Sequence, residues 1–103
     1  MYIIRRVFKV KEGQTRKAAQ VIDELGKAYE KAGRSPTRTY WSGYTVPGPE
    51  LVYMDWTTET LSSPFDPNHA GHEPSKEPDY VLDAYRRVSE LEEDSYIEFY
   101  EMP

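Results

Sequence analysis

Apolar positions alternate with polar ones along Tyr2–Val10, and this period of two predicts an opening strand. One face would carry Tyr2, Ile4, Arg6, Phe8 and Val10, the other Ile3, Arg5, Val7 and Lys9. Neither set is cleanly polar, so both faces are expected to be at least partly covered. After Lys11-Glu12-Gly13 the period lengthens. Ala18, Val21, Ile22, Leu25, Ala28, Tyr29 and Ala32 recur at helical spacing, which predicts a helix from Gln14 or Thr15 to about Ala32, closed by Gly33. Asp23 with Lys27, and Glu30 with Arg34, are each four apart and expected on its solvent side.

β-Branched and aromatic residues fill two arms from Thr37 to Thr58 around Pro47-Gly48-Pro49, which predicts a hairpin. Folding about Pro47-Gly48 pairs Tyr44 with Leu51, Ser42 with Tyr53, Tyr40 with Asp55 and Arg38 with Thr57. The opposite face would hold Trp41 beside Met54 and Thr39 beside Trp56, and a slip of one residue would exchange the faces. The stretch 60–78, with Pro64, Pro67, Pro74 and Pro78, is expected as a surface loop, with Phe65 folding back as its apolar anchor. Pro78-Asp79 opens a second helix that turns Val81, Leu82, Tyr85, Val88 and Leu91 inward and pairs Asp83 with Arg87 and Arg86 with Glu90 outside. The acidic run Glu92-Glu93-Asp94 sits at that helix's negative end and is expected to terminate it. Ser95–Met102 then alternates Ile97 and Phe99 against Tyr96, Glu98 and Tyr100 as the last strand.

The resulting order, βαββαβ, predicts an α+β, ferredoxin-like domain: a four-stranded antiparallel sheet with two helices on one face and the terminal strands adjacent. A chain of 103 residues is one domain, 1–103, with the proline-rich loop at 60–78 as its irregular part. Two helices cover only one face. The other would show Tyr40, Tyr44, Tyr53, Tyr96 and Tyr100, too aromatic to leave bare, so a homodimer that lays sheet on sheet is expected.

Composition narrows the function. The chain has no cysteine, which excludes disulfides and thiolate catalysis, and its opening lacks a long apolar run; a cytoplasmic location is the expectation. A net charge of −5 argues against nucleic acid or an anionic membrane as partner. No phosphate-binding glycine loop, Ser/His/Asp set or dinucleotide fingerprint occurs.

Several stretches resemble the dimeric α/β-barrel superfamily, which includes antibiotic-biosynthesis monooxygenases, haem degraders, muconolactone isomerases and NIPSNAP-like proteins. Val10-Lys11-Glu12-Gly13 resembles that group's strand-ending Val-Lys-Pro-Gly, with Glu12 in place of proline. The helix closed by Gly33 and followed by Arg38-x-Tyr40 is similar too, and Asp55-Trp56 resembles its acidic-Trp signature. The 60–78 loop departs from the pattern, because many members place there a helix bearing a histidine, and no Asn-Trp-His haem-degrading set matches. The resemblance implies a sheet-to-sheet dimer forming an α/β barrel. It also implies a cofactor-free monooxygenase or isomerase acting on a small hydrophobic oxygenated molecule.

Three groups of residues are candidates for chemistry. His69 and His72, with Asp66 and Glu73, have too few converging ligands on a glycine-containing loop for a metal site, so no metal and no cofactor is expected. The loop would instead be the pocket's lid, with His69 its most reachable ionisable group. Arg38, Tyr40, Asp55 and Glu98, with His69 of the loop, are the candidate catalytic residues, among which Asp55 or Glu98, raised in pKa by burial, would take a proton. Tyr53, Tyr96 and Tyr100 would hold the substrate's apolar body. The competing reading is a dimer interface whose charges pair with each other, Arg38 with Asp55. Trp41 and Trp56 would line a pocket by resemblance, but as residues they read, with Met54, as core under the helices. Enzyme and non-catalytic binding or assembly module therefore both stand at this point.

Overall fold

The computed structural model describes residues 1–42, 47–61 and 77–103. In chain order the elements are β1 (Tyr2–Val10), α1 (Thr15–Lys31), β2 (Arg38–Trp41), β3 (Leu51–Thr58), α2 (Asp79–Ser89) and β4 (Glu92–Glu101). The strands form one antiparallel sheet in the order β2-β3-β1-β4, so the terminal strands are adjacent as expected. Tyr44, Phe65, His69 and His72, and most of the predicted loop, lie outside the described residues.

Alternation in the strands decides which side chains meet the helices. Ile4, Phe8 and Val10 of β1 and Val52, Met54 and Trp56 of β3 pack against Ala18, Ile22, Leu25 and Tyr29 of α1 and Val81, Ala84 and Val88 of α2. Trp56 is the largest of the fully buried side chains. Val10, Ala18, Ile22, Val88, Leu91 and Glu92 border a shallow crevice at this layer, too narrow to admit a water molecule. Helix α1 approaches β2 closely at Gly26, which is buried with its Cα side against Thr37 and the Met54 sulfur.

Gly33 closes α1 as predicted, but the expected pairing of Glu30 with Arg34 does not form. Gly33, at φ 111°, takes the left-handed turn that a side chain resists. The Gly33 N–H donates to the Glu30 carbonyl (3.0 Å) and the Arg34 N–H to that of Tyr29 (2.9 Å), the paired bonds of a Schellman turn. This turn swings Arg34 back over the helix, so it does not meet Glu30 on the solvent side. Its guanidinium lies 3.7 Å from the centre of the Tyr29 ring and 3.9 Å from that of Trp56, with the residue 7% exposed. Glu30 turns instead to β2 and accepts the Thr37 N–H at 2.7 Å, fixing where that strand starts.

The hairpin register is offset from the expected one by two residues: Arg38 faces Asp55, Thr39 Met54, Tyr40 Tyr53 and Trp41 Val52. An even shift leaves every side chain on its predicted face, because alternation fixes parity and not the choice among even registers. Trp41 keeps its face but sits at the end of the edge strand, 45% exposed, and is not part of the core. β4 starts at Glu92 rather than Ser95, the acidic run forming its first residues beside Lys9 and Val10. The Leu91 carbonyl accepts the Lys11 N–H (3.0 Å), which pulls the chain into the sheet directly after α2. On α2 the outer pairs also differ: Asp83 meets Arg86, and Arg87 reaches Glu24 of α1 at 2.6 Å.

Candidate functional site

The face of the sheet away from α1 and α2 collects most of the predicted site. Odd positions of β1 and β3 point to it, so the register sets Arg5 between Asp55 and Glu98, and Val7 between Tyr53 and Tyr96. Tyr40 and Arg38 join from β2, and Tyr100 from β4. Val7, between Tyr53 and Tyr96 on this face, is fully buried. Tyr96 and Tyr100 remain exposed.

Two charge clusters organise this face. In the first, Arg38 grips Asp55 through both carboxylate oxygens, Nε to Oδ1 at 2.9 Å and Nη2 to Oδ2 at 3.2 Å, and the Tyr40 hydroxyl donates to Oδ2 at 2.7 Å. The Asp55 side chain is nearly closed off while that of Arg38 is 71% exposed, so the acid is held from the solvent side. Burial, then the bond to Asp55, pushes the Tyr40 hydroxyl up from its ordinary pKa.

In the second cluster, Arg5 Nε donates to Glu98 Oε1 at 2.7 Å and its Nη2 to the Tyr100 hydroxyl at 3.2 Å, while that hydroxyl donates to Glu98 Oε2 at 2.8 Å. The Arg5 guanidinium also lies 4.7 Å from the Tyr53 ring centre, and Tyr53 stacks on Tyr40 with centroids 5.2 Å apart. The clusters are thus joined through aromatic rings. Burial works to raise the Glu98 carboxyl, but the Tyr100 hydroxyl and Arg5 outweigh it and hold the pKa below the ordinary value. The expectation that burial raises Glu98 into a general base is therefore corrected: its cation and its hydroxyl decide the direction.

Of the predicted residues, Arg38, Tyr40, Asp55, Tyr53, Glu98, Tyr96 and Tyr100 share this face, while Trp41 and Trp56 belong to the other and His69 lies outside the described residues. Arg5 was absent from the predicted set, though it shares the parity of Val7 and the predicted face. Only the cross-strand register, which places it between the two acids, reveals its role.

No protein-family model matches the sequence, and no curated protein matches it either. Among solved structures, an uncharacterised NIPSNAP domain protein from Burkholderia xenovorans aligns with a TM-score of 0.69 at 13% identity, over 100% of this chain and 95% of its own. SnoaB, a cofactor-independent oxygenase from Streptomyces nogalater, aligns with a TM-score of 0.55 at 11% identity, over 99% of this chain and 92% of its own. A dimeric protein of unknown function and ferredoxin-like fold from Bacteroides fragilis gives 0.50 at 12% identity, over 98% and 96%. At such identities the likeness is one of fold: this chain has the ferredoxin-like architecture found in NIPSNAP domain proteins and in a cofactor-independent oxygenase.

Proposed function

We propose that the protein works as a homodimer whose open sheet faces meet about a twofold axis, and that this face serves assembly rather than proton abstraction. The observation that carries the reading is the state of the two acids. Asp55 and Glu98 each accept hydrogen bonds on both oxygens from an arginine and a tyrosine of their own face. A carboxylate so engaged is a poor base, and a neutralised pair is well suited to burial against another surface. Two guanidiniums balance two carboxylates at the centre of the face, within a chain of net charge −5, so two copies can stack there without like-charge repulsion. The exposed rings of Tyr96 and Tyr100 supply amphipathic area of the kind enriched in interfaces. A structural neighbour of the same fold is itself dimeric.

A second reading keeps a small hydrophobic oxygenated substrate, and rests on the likeness to an oxygenase that needs no cofactor. Its chemistry would have to take place away from the engaged acids Asp55 and Glu98. The first reading is tested by light scattering on the intact protein at micromolar concentration. A mass near twice 12.0 kDa is expected, and a stable species of 12.0 kDa refutes it.

A further inference from the structure

Balanced charge lets two copies of the open face meet; the order of the charges decides how they meet. The cross-strand register sets Arg38, Asp55, Arg5 and Glu98 in one row, Arg38 opposite Asp55, Asp55 opposite Arg5 and Arg5 opposite Glu98. Their signs alternate, plus, minus, plus, minus, from the edge strand β2 to the edge strand β4. The next row is Tyr40, Tyr53, Val7 and Tyr96. Beyond it stand Ser42, Leu51, Lys9 and Asp94, with the Ser42 N–H donating to the Leu51 carbonyl at 3.1 Å.

Two such faces can meet about a twofold axis that runs along the strands or across them. Facing sheets stack about 10 Å apart with strands aligned to within about 30°, so row meets row in either case. An axis across the strands on the charged row lays every charge over its own copy. Moved to the tyrosine row, it lays Arg5 over the partner's Lys9 and Glu98 over the partner's Asp94, again like over like. Placed between those two rows, it sets the charges over tyrosines and a valine and gains no pair. An axis along the strands, midway between β3 and β1, instead exchanges β2 with β4 and lays opposite over opposite at all four positions. Like charges facing each other across an interface are costly, and opposite ones fix its register.

Building on the dimer of the preceding section, we propose that its twofold axis runs along the strands between β3 and β1, so that Arg38 of each protomer lies over the partner's Glu98 and Asp55 over the partner's Arg5. The two outer side chains have capacity for this. Arg38 spends its Nε and Nη2 on Asp55, yet its side chain is 71% exposed and a guanidinium carries further N–H donors. Glu98 accepts from Arg5 on one oxygen and from Tyr100 on the other, and an ionised carboxylate has lone pairs beyond these. In the same arrangement the exposed ring of Tyr96 comes to lie over the partner's Tyr40.

The chain has no cysteine, so introduced thiols report the axis directly. Ser42→Cys and Asp94→Cys chains, one of them tagged, are coexpressed, checked by sedimentation and treated with a short bismaleimide. Ser42 stands on the β2 side of its row and Asp94 on the β4 side, so the axis along the strands brings the two thiols of different protomers together. The expected product joins one variant to the other. Tyr40→Cys with Tyr96→Cys repeats the test one row away and decides it if Ser42→Cys does not fold. A sedimenting dimer in which the reagent joins neither pair, or joins like variant to like, overturns the axis and leaves the dimer standing. A species of 12.0 kDa overturns the dimer and the axis together.

Discussion

Gly26→Ala sets helix propensity against packing, and the structure decides the sign. In a helix interior, alanine is favoured over glycine by about 1 kcal/mol, so sequence reasoning alone predicts a more stable protein. At this position a Cβ would collide with the Thr37 hydroxyl and stand 3.2 Å from the Met54 sulfur and 3.3 Å from the Thr37 Cβ. Thr37 cannot yield cheaply. It is 6% exposed, its β-branched side chain has few rotamers, and its N–H is the bond that Glu30 uses to position β2. Overpacking of this kind costs about 1–3 kcal/mol, which exceeds or cancels the propensity gain and leaves about 0–2 kcal/mol of destabilisation. For a domain of this length, that lowers Tm by up to roughly 10 °C. The assay is thermal and urea unfolding at fixed protein concentration. Thr37→Ala in the Gly26→Ala background removes the colliding hydroxyl and is expected to recover part of the loss. A Gly26→Ala protein more stable than wild type by the full propensity gain refutes the close packing of α1 on β2.

Two further outcomes concern titration. The Thr37 N–H holds the Glu30 carboxyl below its ordinary pKa, and in Glu98 the Tyr100 hydroxyl and Arg5 prevail over burial to the same effect. A depressed folded pKa contributes stability that is fully present above the unfolded value, about 4.3, and is lost as pH falls through the folded one. Urea midpoints are therefore expected to fall with acidification below about pH 4.3, and Glu98→Gln to flatten that limb; an identical acid limb in the variant contradicts the Arg5–Glu98–Tyr100 cluster. At the alkaline end, burial pushes the Tyr29 hydroxyl up to about 12, so ultraviolet titration should show it ionising late among the nine tyrosines. Its contribution to stability is present below about pH 10 and lost as pH rises towards 12. Removal of a late-titrating component by Tyr29→Phe is expected, and an unchanged curve would show that Tyr29 is solvated.

Alternation and helical spacing made the layers legible in advance: the residues expected under the helices from β1, β3, α1 and α2 largely form the core, and the tyrosine face is where parity places it. What alternation does not encode is register. The two-residue offset of β2 moved Arg38 opposite Asp55 without moving either from its face, and it left Trp41 beyond the helices. Arg34 was illegible for a different reason. Counting four from Glu30 assumes a helix that continues, whereas Gly33 reverses the chain and delivers Arg34 between two rings. Arg5 and Arg6 are adjacent in sequence and similar in kind, yet strand alternation sends one to the acids of the open face and the other to hydroxyls under α2.

The claim that the open sheet face is the assembly surface is tested most directly by two substitutions that differ mainly in direction. Tyr96 and Phe99 are neighbours on β4 with nearly equal exposure, 52% and 53%, but Tyr96 belongs to the open face and Phe99 to the helix side. Sedimentation of Tyr96→Glu and Phe99→Glu across a hundredfold range of concentration compares the two faces within one strand. Tyr96→Glu is expected to dissociate to a species of 12.0 kDa while Phe99→Glu retains the dimer mass. A dimer that survives Tyr96→Glu and is lost with Phe99→Glu contradicts it.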